Sequence, residues 1–458
     1  MIRLILLLLG ADFVRRRWPV LMLLGLAWSL LGVALAFDAF ADVVTFPLRE
    51  LGYVLLFEGV LTLIAAASKL SLQTRLRYVK GVMFVLIAGL IIDPHPESDV
   101  VLAILFGTNF LVGGCLQIAA ARVIRFTGWR TAMWVGVFQL LIAVLFYSPY
   151  PLHYAGTVPF AIALSMMISG VNLVWLANRL HKLPQGAAIL SVWGGNSLFD
   201  LMPEPTLDDR ARQALVATDW YSEIPLVVHV WTPVGSAKSR ALRRPIVDRY
   251  IAAVDSTGVI STGHAALEVT PDLYISLYPA QEIDRSPAQF ARLLRASAEN
   301  DIRGRFLHSY PEEAQAWCDS TVKVAYRRYN HTRLRAFWLR YQQDATYNLT
   351  NRNCSSTVSA ALEAALEGEL GTRASPWRAL AFALVCPELW VAGQIYRRAK
   401  TMTWTPGMTL DYARALRIVV HPPPVAWLML LRLALRSRRR YRDRERQNRL
   451  QNRPNRAT

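Results

Sequence analysis

The stretch "NLTNRNCSSTVSAAL", Asn348 to Leu362, sets Cys354 where a polar turn runs into small, helix-compatible residues. A thiol attacks as the thiolate, and the unpaired N–H groups and dipole of a helix N-terminus favour that anion. Thr350, Asn351 and Asn353 are cap and turn formers, so the spacing predicts Cys354 in a helix's first turn. A nucleophilic thiol also needs a base, which can lie far away in sequence. His264 in "STGHAALEV" is the best placed, opening a strand after Gly263, with Ala266 and Glu268 alternating onto its own face. Ser276, twelve residues on in "DLYISLYP", falls in the next strand, where it can stand beside the ring and orient it.

The other candidates read differently. His229 in "VVHVWT" has the pattern of an inward-facing core residue, and His308 and His331 lie in polar, solvated connectors. Cys318 sits in "PEEAQAWCDSTVKVAYRRY", expected to be a helix from Glu312 to Tyr326 with Ala314, Trp317, Cys318 and Thr321 as its core stripe. Cys115 lies in an apolar run, and the four cysteines show neither paired nor metal-type spacing, so free thiols, no metal and no cofactor are expected.

The elements that must position Cys354 and His264 follow from periodicity. Short β-rich runs ("PLVVHVWTPV", "YIAAVDSTG", "GHAALEVTP", "LYISLYP") precede helical stretches at Ser286 to Asn300, Glu312 to Tyr326 and Cys354 to Leu366, an α+β layout. "TGHAALEV" and "DLYISLYP", followed some 80 residues later by "NLTNRNCSSTVSAAL", resemble the permuted papain-like superfamily, in which the strand histidine precedes the helix cysteine. Its members include NlpC-type hydrolases and lecithin:retinol acyltransferase-like enzymes. The resemblance covers about Pro225 to Gly368 and implies His264 as general base and Cys354 as nucleophile. It brings the third polar residue onto Ser276, where members more often carry His, Glu, Asn or Gln, so Glu268 is the reserve orienting residue. The implied chemistry is acyl transfer through a thioester, with main-chain N–H groups of the Cys354 helix holding the oxyanion and Asn353 fixing the turn.

Ahead of this lies an apolar half. Six stretches, near 18–40, 49–68, 78–93, 99–121, 129–148 and 156–178, are apolar enough for a core of about 30 Å, which takes about 20 helical residues. "GVLTLIAAASK" from Gly59 realigns 54 residues later with "GGCLQIAAARV" from Gly113, and more weakly with "SGVNLVWLANR" from Ser169. "GVMFVLIAGLIIDPHP" from Gly81 realigns 55 residues later with "GVFQLLIAVLFYSPYP" from Gly136. The unit is a helical hairpin of about 55 residues used three times. Thirteen Lys and Arg collect on one side against Arg49 on the other, which predicts a cytoplasmic N-terminus and a cytoplasmic C-terminal half. Six helices in three hairpins with basic inner loops resemble the HdeD-type acid-resistance membrane family over residues 15–182. Glu58, inside the second helix, is an intramembrane acid and hence a functional candidate, weighed against a plain interhelical contact. "MIRLILLLLGADFVRRR" reads as an interfacial lead-in.

The organisation expected is an all-α six-helix membrane bundle (1–182), a linker (183–224), an α+β permuted papain-like domain (225–370), membrane-associated helices (371–435) and a basic disordered tail (436–458). A net charge of +18 concentrated in membrane-flanking loops and the tail points to a lipid bilayer with anionic headgroups rather than to nucleic acid. "PWRALAFALVCPELWVAGQIY" and "PPPVAWLMLLRLALRSRRRYR" are read as interfacial segments holding the soluble half against the inner leaflet of a bacterial cytoplasmic membrane, with a buried packing role in the domain core equally open for the first. The function expected is a membrane-anchored cysteine hydrolase or acyltransferase acting on an acyl-lipid or a peptide or isopeptide carbonyl. The rivals are a non-catalytic membrane stress protein with a degenerate binding module and, if the topology is reversed, a cell-wall peptide hydrolase.

Overall fold

The computed structural model describes residues 2–422 apart from 42–47, 68–73, 94, 127, 149–152, 185–186, 190–220, 235–249, 251–252, 255, 257–259, 282–294 and 374. Most of the expected linker, the expected tail, the second interfacial segment and most of the helix expected from Ser286 fall outside the described residues. The described chain forms two compact units. One comprises residues through Trp28, Val112–Leu140 and Ser169–Pro422; the other comprises Ser29–Leu111 and Leu141–Ile168.

The N-terminal helices are α1 (Ile2–Leu9), α2 (Ala11–Arg15), α3 (Trp18–Ala39), α4 (Leu48–Ala67), α5 (Thr74–Ile92), α6 (Pro96–Ile124), α7 (Trp129–Tyr147) and α8 (Thr157–His181). Among the described residues, Trp18–Ala39, Glu97–Ile124, Trp129–Tyr147 and Tyr154–His181 are long and apolar enough to cross a membrane. The two further spans expected from sequence form as the helices α4 and α5, and the described apolar part of α5 is the shorter Tyr78–Ile92. Glu58 has a basic partner, with Lys80 Nζ donating to its Oε1 at 2.6 Å, so within this unit it makes an interhelical ion pair.

The sequence repeat surfaces as a recurrent tight contact. A Cβ on Gly81 would meet Leu63 and the Gly59 carbonyl at 2.7 and 3.1 Å; one on Gly136 would meet Ile118 and the Gly114 carbonyl at the same distances. On Gly25 it would meet the Gly170 carbonyl and Val174 at 2.9 Å. Close approach therefore pairs α4 with α5, α6 with α7 and α3 with α8, joining first and last helices that lie far apart in the chain. Only residues without a Cβ allow backbones this near, the small-residue packing expected where apolar area gives helices no reason to associate.

In the first unit, β1 (Tyr221–Trp231), β4 (His264–Val269), β5 (Leu273–Ile275) and β8 (Val322–Arg328) make an antiparallel sheet in the order β5-β4-β1-β8. β2 (Ala253–Val254) pairs with β3 (Ile260–Ser261), and β6 (Leu277–Pro279), β7 (Ile302–Phe306) and β9 (Thr346–Tyr347) form a second small sheet. Alternation sorts the two faces of the larger sheet: Leu226, Val228, Val230, Ala265 and Leu267 enter the main core, while Trp231, Ala266 and Tyr274 form a separate cluster. The helices of this half are α9 (Tyr310–Ala316), α10 (His331–Tyr341), α11 (Cys354–Leu366), α12 (Pro376–Val385), α13 (Pro387–Thr401) and α14 (Pro406–Val420).

Three features differ from the sequence expectation. The helix expected from Glu312 to Tyr326 is α9 followed by β8, because Val322, Val324 and Tyr326 alternate in a β-branched and aromatic run that pairs with β1. The supposed interfacial lead-in α1 is core: Leu4 to Leu9 are all buried with the sheet, Gly368 N–H donates to the Leu7 carbonyl at 2.9 Å and Leu370 N–H to that of Leu8 at 2.7 Å. Gly10 (φ +83°) and Gly368 (φ +91°) abut, and a Cβ on Gly10 would lie 2.7 Å from the Gly368 Cα. Lastly, α14 falls in the stretch read as membrane-associated, yet twelve of its residues, among them Leu410, Tyr412 and Leu416, are buried beside α11 and the sheet. Pro376–Leu384 and Pro387–Thr401 together have the apolarity of a span but bend by 71° at their break.

Candidate active site

Cys354 begins α11, and its N-cap is built by the polar stretch before it. Asn353 and Ser356 form a capping box: Asn353 Oδ1 accepts from Ser356 N–H at 2.8 Å, and Ser356 Oγ accepts from Asn353 N–H at 2.9 Å. Asn353 Nδ2 donates to the carbonyls of Leu349 (2.8 Å) and Trp404 (2.9 Å), tying the turn to the α13–α14 connection. Asn348 folds the loop back as an Asx turn, its Oδ1 accepting from Thr350 N–H at 3.0 Å, while Nδ2 donates to Asp301 at 2.7 Å. Arg352, buried, donates to the Thr346 carbonyl at 2.7 Å and pairs with Asp344 at 3.1 Å. Asn353 thus positions Cys354 from a structural place.

His264 is the first residue of β4, opposite Trp231 on β1. Gly263 before it sits at φ +71°, and a Cβ there would strike the Trp231 carbonyl, so glycine is required for the chain to turn into the strand at this point. The ring is buried, stacks on Tyr278 with centroids 4.1 Å apart, and lies within electrostatic reach of Cys354. Its Nε2 lies 2.9 Å from Ser276 Oγ and 3.3 Å from Glu313 Oε1. With Nε2 so engaged, Nδ1 is the nitrogen left for the thiol.

Behind the histidine stands an acid that the sequence reading missed. Glu313, on α9 and buried, receives hydroxyl hydrogen bonds from Tyr274 (2.5 Å) and Ser276 (2.9 Å) on Oε2 and from Tyr278 (2.8 Å) on Oε1. Ser276 therefore donates to Glu313 and accepts from His264, an intermediate position between ring and carboxylate. Glu268, the reserve orienter, is elsewhere: its Oε2 lies 2.9 Å from Nε2 of the buried His229, whose Nδ1 is 3.1 Å from Ser320 Oγ. The register places His229 opposite Ala266, between His264 and Glu268 along β4, which takes Glu268 away from the His264 ring. The signal that could have found Glu313 was "PEEAQAW", an acid pair at a helix start, but its reach to β5 and β6 lay in no local pattern.

The electrostatics of the pair point one way. Burial alone pushes the Cys354 thiol up, but His264, together with hydrogen bonds from Ser355 and the Ala265 main chain, outweighs it and leaves the thiol below its ordinary range. Burial likewise pulls His264 down, and the Cys354 thiolate and Glu313 overcome that and raise it. Each group is the largest favourable influence on the other, and each shift favours the ionised form of its group. Cys318 and Cys386 move the other way: burial raises both, Cys386 to about 12 with Glu388 adding to the effect. Among the described residues no group of His, Cys, Asp and Glu has the arrangement of a metal site. Chemically, a base-paired thiolate at a helix N-terminus can attack an electrophilic carbonyl. No family model, no curated protein and no solved structure matches the chain.

Proposed function

We propose that the protein is an integral membrane thiol hydrolase or acyltransferase with Cys354 as nucleophile and His264 as base. The observation that carries this reading is buried His264 in electrostatic contact with Cys354 at the start of α11, with Ser276 and Glu313 on Nε2 of the ring. In the proposed cycle the thiol proton resides on His264, and the Cys354 sulfur attacks the carbonyl carbon. The Cys354 main-chain N–H holds the oxyanion, and His264 returns the proton to the leaving group as the thioester forms. Water or a second acceptor, deprotonated by His264, then releases the acyl group and restores the thiol. Glu313 steadies the imidazolium through both half-reactions.

The substrate class proposed is an acyl lipid or a peptide or isopeptide carbonyl presented at the cytoplasmic face. The thirteen-to-one loop charge asymmetry supports that side, with both termini inside a bacterial inner membrane. Exposed Trp377, Phe382, Leu384 and Trp390 on the bent α12–α13 pair favour contact with the bilayer. A six-span HdeD-like bundle in which α4 and α5 join the four long helices belongs to the same proposal.

The test is labelling of the purified full-length protein with an acyl-electrophile thiol probe. Labelling confined to Cys354, abolished in Cys354→Ala and strongly reduced in His264→Ala, is the expected result. Equal labelling of Cys318 or Cys386, or none anywhere, replaces this reading with the non-catalytic stress protein. A reporter fused after Thr458 that is active only outside the cytoplasm turns the substrate toward wall peptide.

A further inference from the structure

A second polar feature of the same unit has no part in the thiol chemistry. Where α14 ends, Arg328, Thr372, Arg373, Val420, His421 and Pro422 line an open cleft of about 460 Å³. The start of α14 lies by the Cys354 helix, with Thr409 Oγ1 donating to the Ser355 carbonyl, and a helix of 15 residues is about 22 Å long, so the cleft is a separate place.

Its charge is unbalanced and its donors are held in place. Buried Glu369 accepts from Arg328 Nε at 2.6 Å and from Arg373 Nε and Nη2 at 3.1 and 2.9 Å, and Arg373 also reaches the Val420 carbonyl. Arg417 lies one turn before His421 on α14, its Nε donating to the Ala325 carbonyl at 3.0 Å. Among the described residues with which these side chains make hydrogen bonds, three guanidinium groups meet this one carboxylate. Burial and then Arg417, Arg328 and Arg373 push His421 down to about 4, so the ring is neutral near pH 7. His421 Nε2 accepts from Arg327 N–H at 3.2 Å, which puts the ring proton on Nδ1, where it is a further donor.

The cleft also lies near the start of the first long apolar helix. Arg373 is four residues from Trp377, a reach of at most about 14 Å. Trp377 packs on Phe13 at 5.9 Å with the Arg17 guanidinium over both rings, and α3, the first of the long apolar helices, begins at Trp18. Arginine forks match phosphate oxygens better than any other side chain does, and anionic headgroups concentrate at this depth.

We propose that Arg328, Arg373, Arg417 and His421 form a binding site for a phosphate group, carried by an anionic lipid headgroup or free in solution. The site stands whether or not Cys354 is a nucleophile. Calorimetric titration of the detergent-purified full-length protein tests it with three probes: inorganic phosphate, dioctanoyl phosphatidic acid, and dioctanoylglycerol as the same tails without phosphate. Saturable binding of at least one phosphate-bearing probe, weakened about tenfold or more in Arg328→Gln/Arg417→Gln and reduced by added salt, is expected, with no binding of dioctanoylglycerol. Tighter binding of the phosphatidic acid than of phosphate assigns the site to lipid; equal binding assigns it to the free ion. Should the double variant not fold, the exposed Arg417→Gln alone is compared with Arg417→Lys, which keeps the charge and is expected to retain binding. Wild-type affinity in the glutamine variants, or no binding of either phosphate-bearing probe, overturns the proposal.

Discussion

His229 and His264 occupy one face of the same sheet, on adjacent strands, each buried and each beside a glutamate. They differ in what lies on the ring's other side. His264 meets the Cys354 thiol, and that group with Glu313 outweighs burial and raises its proton affinity. His229 meets Ser320 and the stacked ring of Tyr310, with Lys323 nearby, and burial lowers its proton affinity despite Glu268. Burial and a carboxylate do not by themselves make a base; a partner that ionises in the opposite sense decides it.

The sharpest way to break that contrast is to remove each ring in turn. His264→Ala should slow Cys354 labelling by about 10³-fold, the range of a positioned general base, whereas His229→Ala should stay within a few-fold and instead lower the thermal midpoint. Comparable losses of labelling in both variants would erase the distinction.

The two acids come next. Glu313→Gln removes the acceptor of three hydroxyls as well as the imidazolium's partner, so a stability loss of about 2–4 kcal/mol and a labelling loss of about 10- to 100-fold are expected. Glu268→Gln should cost labelling little, since its pair is with His229. A larger kinetic effect from Glu268 than from Glu313 would return the orienting role to the residue on the catalytic strand.

Acidity offers a finer discrimination. Because the Cys354 thiol is lowered, its alkylation rate should climb at a pH below the ordinary thiol range of about 8.5 and level off once the thiolate is formed. In His264→Ala burial remains while the counter-ion is gone, so the midpoint of that curve should move above about 8.5. A stopped-flow iodoacetamide profile reads both; coincident midpoints would mean that the pair does not ionise as described.

The smallest effect is on stability. His229 and His421 are lowered in the folded state, so the unfolded chain binds more protons and stability falls as pH drops below about 6.5, the ordinary histidine value. For His421 the fall continues to its folded value of about 4. His421→Asn should flatten this acid limb in urea titrations at stepped pH, and an unchanged slope would count against the lowered value.

Parts of this arrangement were open to reading from local pattern. The cap residues before Cys354 and the small residues after it marked α11 from its first residue to Leu366, because capping chemistry is local. Period-two runs marked β1 and β4, and the realigned segments marked repeated helices, although which helices approach closely was not visible. Val322-x-Val324-x-Tyr326 was read as helix because Trp317 and Cys318 lie at helical spacing just before it; pairing with β1 overrode that pattern.

What the sequence by itself determined is therefore the chemistry available: a thiol in a capped first turn, a strand-opening histidine behind a glycine, and helices apolar enough to cross a membrane. Their meeting was decided by tertiary structure. Glu313 reaches His264 because α9 lies over the face that carries Tyr274. The leucines of α1 are core because α11, α12 and α13 pack against them and the chain after α11 hydrogen-bonds to the carbonyls of Leu7 and Leu8. Hydrophobicity states that a segment must leave water, and only the folded partner decides whether it enters lipid or protein.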